Sequence, residues 1–268
     1  MRSSLVPVLL VLGCAHPLLD LGPAGEASTA AELLRRVDAV EATVTSVSGE
    51  ARLEVSGPRG RAASALFLAV GRSASLHLEQ LDFFGRPQLV LVSDGARFTL
   101  HEAGAGRWYR GPVTGAALGR LLPLSLPWGA MAPLLLGRAP RPPGEAAELR
   151  LDRERRRYLL SVGLPAVQLE VDPASARVLR SAGPGLEVRF SDLEARGGVV
   201  FPMRVELDLE AGPTSLALRW TEVTLEPPED PSLFVLEPPP GVPVTELDDQ
   251  GLPVAQPETK GRLSPLTH

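Results

Sequence analysis

Cysteine occurs once in this 268-residue chain, at Cys14, and lysine once, at Lys260. A lone cysteine excludes an intrachain disulfide. The lack of lysine beside abundant arginine reads as the codon bias of a GC-rich genome. The arginines are scattered and the net charge is −5, so the basic patch that phosphate neutralisation needs is missing and nucleic acid is excluded as a partner. Metal spacing is missing too: His16 and His268 lie near the ends, and His77 and His101 each stand without a close Cys or His partner. There is no G-x-S-x-G elbow, Walker loop or dinucleotide fingerprint. The sequence therefore predicts neither an enzyme nor a cofactor.

Long apolar runs are also absent. Leu5–Leu12, interrupted by Pro7, is far short of the roughly 20 residues that span a bilayer. Leu118–Leu136 is broken by Pro123, Pro127 and Pro133 and carries Arg120. The first run, preceded by Arg2, fits a cleavable signal over residues 1–13. It ends in Val11-Leu12-Gly13-Cys14, which resembles the bacterial lipobox and implies acylation of Cys14 and a membrane held through it. Residues 14–29 read as an acylated anchor and flexible tether.

What is present is a hydrophobic content of 44% against 22% charged residues, enough for a real core. Thr29 and Glu32 have capping-box spacing, and Leu33, Leu34, Val37, Val40 and Val44 fall on one helical face over 30–45. From Val47 the period changes to two, predicting a half-buried antiparallel strand. Five more strands follow, near 61–70, 73–81, 88–93, 97–102 and Trp108-Tyr109, with 82–87 a loop. Residues 114–137 then lose the alternation and predict two short helices, about 114–122 and 128–136, the second ended by Gly137. Seven strands resume over 146–225, and a Pro-rich tail from 238 to 268 reads as disordered.

So many meandering strands must curl to hide their edges. The expected fold is mostly β: a strongly curved antiparallel sheet, an open half-barrel, with an N-terminal helix and short lid helices over an apolar cavity, within a domain spanning 30–237. Candidate lining residues are Leu118, Leu121, Leu122, Leu124, Trp128, Met131, Leu134 and Leu135. The plainer alternative is a solid core. Arg153, Arg155, Arg156 and Arg157 form the one dense charge run, read as a solvated hairpin tip or a contact for anionic headgroups. Phe83 and Phe84 sit adjacent in a Gly/Pro-flanked loop, either as an exposed membrane probe or tucked into the core.

These features resemble the LolA/LolB superfamily of lipoprotein carriers and receptors. Asp82-Phe83-Phe84-Gly85 followed by Leu89-Val90-Leu91 is similar to the LolB loop in which a protruding apolar residue precedes glycine. The resemblance gives Phe84, with Phe83 beside it, the membrane-inserting position. Leu122-Pro123-Leu124 through Leu134-Leu135-Leu136-Gly137 is similar to the LolB lid region. Because the chain reads as anchored, the LolB branch fits better than the soluble LolA branch, although the C-terminal part, through Phe234 and Pro238–Gly241, is longer than in LolB. The resemblance implies lipid or lipoprotein acyl chains as ligand, a periplasmic carrier protein as partner, and the inner leaflet of the outer membrane as location. The alternatives are a structural lipoprotein with a solid core and a glycolipid carrier.

Overall fold

The computed structural model describes residues 19–58, 60–71, 75–121, 128–209, 214–228 and 230–254. Helix α1, Ala30–Glu41, leads into six strands: β1 Val47–Gly57, β2 Gly60–Val70, β3 Leu76–Leu81, β4 Pro87–Ser93, β5 Arg97–Glu102 and β6 Arg107–Pro112. Helices α2, Gly115–Leu121, and α3, Trp128–Leu135, follow. Then come β7 Ala146–Asp152, β8 Arg157–Val162, β9 Val167–Val171, β10 Val178–Gly183, β11 Leu186–Arg196, β12 Val199–Leu209 and β13 Thr214–Leu225. A short 3-10 turn, Pro231–Phe234, precedes β14, Val244–Glu246.

All fourteen strands form one sheet, in the order β14-β6-β5-β4-β3-β2-β1-β13-β12-β11-β10-β9-β8-β7. It is curved, does not close, and is antiparallel except where β14 runs parallel to β6. Two meanders, β1–β6 and β7–β13, are sewn together where β1 pairs with β13. This topology explains the helical insert. β6 ends near one edge of the sheet and β7 forms the other, so the intervening chain must cross from side to side, and α2 and α3 lie on that route.

Alternation sorts each strand's side chains between a buried and a solvated face. On the solvated side, charges pair from strand to strand: Arg157 with Glu170, Arg180 with Glu170 at 3.3 Å and with Glu187 at 2.5 Å, and Arg189 with Asp208 at 2.9 Å. Partly exposed surface pairs of this kind contribute little each; their effect here is to keep the outer face wet and thereby set the strand register.

Helix α1 is shorter than its periodicity predicts. It stops at Glu41, and the Glu226 carboxylate accepts the Thr45 and Ser46 N–H groups at 2.5 and 2.9 Å, drawing the chain into extended form. At its start Thr29 accepts the Glu32 N–H at 3.1 Å, while the Glu32 carboxylate accepts from Ser28 N–H and O–H at 2.9 and 2.8 Å. Those bonds, the Ser28 N–H first, with help from Arg36, hold the Glu32 pKa down from 4.5 to about 2. A depressed carboxylate contributes stability above its unfolded pKa and loses it as pH falls through the folded value. The first turn of α1 should therefore fray as pH falls from 4.5 toward 2, read as faster amide exchange at Ser28 and Glu32 while the central strands stay protected.

The described stretches 19–29 and 238–254 are more engaged with the domain than composition predicts. Ala27 is buried and donates its N–H to the Tyr158 hydroxyl at 2.8 Å, so the described part of the expected tether lies on the domain. Beyond Pro238, β14 adds a strand to β6, Leu247 is buried, and Thr114 and Arg120 bond to the carbonyls of Asp249 and Gln250. A three-residue strand among prolines carries no periodic signal; partners on the β6 edge and α2 make it.

Candidate functional site

The covered concave face is built around α3. Its C-terminus closes as a Schellman motif: Gly137 has φ +71°, Arg138 N–H donates to the Pro133 carbonyl at 2.9 Å, and Gly137 N–H donates to Leu134 at 3.0 Å. This aims successive residues at two neighbouring regions of the sheet. Ala132, Leu135 and Leu136 pack with Phe201, Met203 and Trp220, together with Leu118 of α2. Leu134 packs with Leu33 and Val37 of α1 and Tyr158 of β8. Met131 touches both clusters. The helix is thus a wedge between two halves of the core.

Of the candidate lining residues, Leu118, Leu134 and Leu135 are fully buried in these clusters, and Leu121 and Met131 are partly buried against them. Trp128 opens α3, but its side chain lies outside the described residues, as do Leu122, Leu124 and Cys14. The structure therefore brings the described leucines together as close packing of helix on sheet. Sequence reasoning missed Trp220, whose buried indole N–H has no partner; it is a polar group within an otherwise apolar wall, and nothing local to β13 marks it.

Phe83 and Phe84 form the tip of the β3–β4 hairpin. They are 96% and 77% exposed, edge to face with each other at 5.5 Å. The tip is held from below by Asp82, whose carboxylate accepts the Phe84 and Arg86 N–H groups at 2.8 and 2.9 Å and the Arg86 side chain at 2.9 Å. The Arg86 N–H bond is the main cause of a lowered Asp82 pKa, opposed by partial desolvation. Gly85 supplies the left-handed turn with φ +75°, and the Arg86 guanidinium sits 5.2 Å from the Phe84 ring centre. Two exposed aromatics on a tip braced this way are positioned rather than loose.

A second polar cluster lies where α1 ends. The buried Glu41 carboxylate accepts Ala139 N–H at 3.0 Å and pairs with Arg141 at 2.8 Å; Arg138 bonds the Glu41 and Val44 carbonyls at 3.2 and 2.7 Å. Arg177 is 1% exposed, its Nε and one terminal nitrogen have no partner, and burial pushes its guanidinium below its ordinary value against the attraction of Glu41. These residues come from three distant segments, so no sequence motif announces them. The two described histidines stay apart: His77 bonds the Leu233 carbonyl and Glu79, and His101 stacks on Trp108 at 4.2 Å. No group of three His, Cys, Asp or Glu side chains among the described residues is placed to hold a metal ion. The Arg153–Arg156 run is the exposed turn between β7 and β8.

No protein-family model and no curated protein sequence matches the chain. Solved structures do share its fold. A LolA superfamily protein from Nitrosomonas europaea superposes with a TM-score of 0.55 at 12% identity, covering 78% of this chain and 99% of that one. A DUF1329 family protein from Desulfovibrio piger ATCC 29098 gives 0.54 at 11% identity, over 77% and 95%. A Vibrio parahaemolyticus domain described as outer-membrane lipoprotein-sorting gives 0.54 at 8% identity, over 76% and 94%. The chain has a LolA-like fold.

Proposed function

We propose that this is a lipid-anchored protein of the bacterial envelope that takes acyl chains between α3 and the concave sheet, receives lipoproteins from a periplasmic carrier, and inserts them into the outer membrane. Cys14 carries the anchor in this reading, and no covalent chemistry is assigned to the domain. An acyl chain in water costs about 0.8 kcal/mol per CH₂, so an apolar seam that opens as α3 moves can accept one without catalyst or ATP. The observation that carries the reading is the braced, exposed Phe83–Phe84 tip on a sheet whose apolar face is covered by helices. The fold shared with a lipoprotein-sorting domain supports it.

Native mass spectrometry with lipid extraction, on protein purified without residues 1–14, tests the ligand. Bound acyl species near one per chain are expected, and a glycolipid in the extract would change the cargo. The role of the tip is tested by Phe84→Ala, which should slow release of a fluorescent lipopeptide into vesicles more than its uptake. Equal loss of both, or loss of neither, sinks that assignment. A second reading, a structural lipoprotein with a filled core, draws on the complete burial of Leu118, Leu134 and Leu135. A clean apo mass with no lipopeptide uptake would favour it.

A further inference from the structure

The two ends of the sheet differ in kind. Strand direction puts the β1–β2, β3–β4, β5–β6, β8–β9 and β10–β11 turns at one end, because β13 runs antiparallel to β1 with Ser56 opposite Ser215 and the remaining neighbours alternate. The β5–β6 turn is Ala103-Gly104-Ala105-Gly106, the β8–β9 turn Gly163-Leu164-Pro165-Ala166 and the β10–β11 turn Pro184-Gly185. These three turns carry no charge, and in the β3–β4 turn Asp82 and Arg86 pair with each other at 2.8 Å; Arg59, between β1 and β2, and Glu210, between β12 and β13, lie outside the described residues. The opposite end carries Asp94, the run Arg153-Glu154-Arg155-Arg156, and Asp172.

The same end holds the most exposed large apolar side chains among the described residues. Leu164 is 92% exposed at the tip of its hairpin, as Phe83 and Phe84 are at the tip of theirs. The two hairpins are separated by eight strand spacings, about 38 Å along the curve of the sheet. Beside the Leu164 hairpin, Val167, Pro184 and Leu186 join Pro140 and Pro142 in lining a recess of about 270 Å³.

We infer that this end of the sheet faces lipid through its β3–β4 and β8–β9 hairpins, with Leu164 a second insertion point that works together with Phe83 and Phe84. The inference rests on the reading of the Phe83–Phe84 tip as lipid-facing, and extends it to a two-point contact that fixes how the sheet stands on the bilayer. The occupant follows from the geometry. Three small uncharged turns and a fourth whose charges pair with each other, with apolar side chains projecting at two places, match a broad yielding plane better than a shaped protein pocket. The Arg86 guanidinium beside Phe84 is placed to meet headgroup phosphates while the ring enters the acyl region. Two contacts resist tilting where one does not, which keeps the recess and the helix-covered face in a constant relation to the membrane.

Hydrogen exchange on the full chain, with and without vesicles of equal parts phosphatidylcholine and phosphatidylglycerol, tests this. Residues 19–29 pack at the opposite end, with Gly22 against Ala174 and Glu26 paired with Arg153 at 2.8 Å, so this stretch does not itself shield the tips. Slower exchange on vesicles is expected in both 82–86 and 163–166. Leu164→Asp, at a tip that makes no core contact, should lower vesicle co-sedimentation about tenfold, the loss expected when one leucine leaves an apolar phase, and should leave residual protection at 82–86. Protection at 82–86 alone overturns the two-point surface and leaves the Phe83–Phe84 reading standing. Protection at neither hairpin, or only in the charged turns of the other end, overturns both. Protection at 163–166 alone overturns the joint contact and the Phe83–Phe84 reading with it.

Discussion

Glu41→Gln is expected to destabilise the fold by about 3–5 kcal/mol, the range for removing one partner from a buried ion pair. The glutamine keeps an oxygen to accept Ala139 N–H, so the loss isolates the charge. Without it, Arg138, Arg141 and Arg177 converge with only the half-exposed Asp38 to balance them, and Arg177 already lacks partners for two of its nitrogens. Equilibrium urea unfolding measures the change as a lower midpoint. Arg177→Met in the Glu41→Gln background should recover part of the loss, because it removes the cation left stranded. A midpoint unchanged by Glu41→Gln would mean that the cluster is solvated and not a buried pair.

Gly49→Ala should cost about 3 kcal/mol or more, from backbone strain and forced separation of strands together. Gly49 has φ +156°, and a Cβ there would lie 2.1 Å from the Glu222 carbonyl oxygen of β13. That oxygen belongs to the backbone of the pair joining the two meanders, immediately before the register shift at Glu50/Ala51. The clash can be relieved only by parting β1 from β13. Thermal unfolding of the variant should show a much lower midpoint, or separate transitions for the two meanders if the seam opens first. A midpoint within a degree or two of wild type would show that the seam bends to accommodate the methyl group.

Both predictions rest on features that local sequence does not display. Gly49 reads as one inward position in the alternation of β1; its necessity comes from Glu222, remote in the chain. Glu41 reads as one polar position within an amphipathic helix over 30–45, and its partners arrive from beyond α3 and from the β9–β10 turn. Leu164 is a lone apolar residue between glycine and proline, the same signal that singles out Phe83 and Phe84, yet only the common direction of the two hairpins places them at one end.

Much else was legible in the residues. The switch from a period of 3.6 to a period of 2 at Val47, the Thr29 cap, the loss of alternation after Val113 and the Gly137 stop mark α1, thirteen of the fourteen strands and the two crossing helices. They can do so because side-chain period, capping and turn chemistry are set within a few residues of chain. What the tertiary structure alone decided was which strands became neighbours across the β1–β13 seam, the capture of Val244–Glu246 by the β6 edge, the burial of Arg177 beside Glu41, and the close packing of Leu118, Leu134 and Leu135 beneath the helices. Each depends on surfaces remote in the chain meeting in space, and no local pattern encodes that meeting.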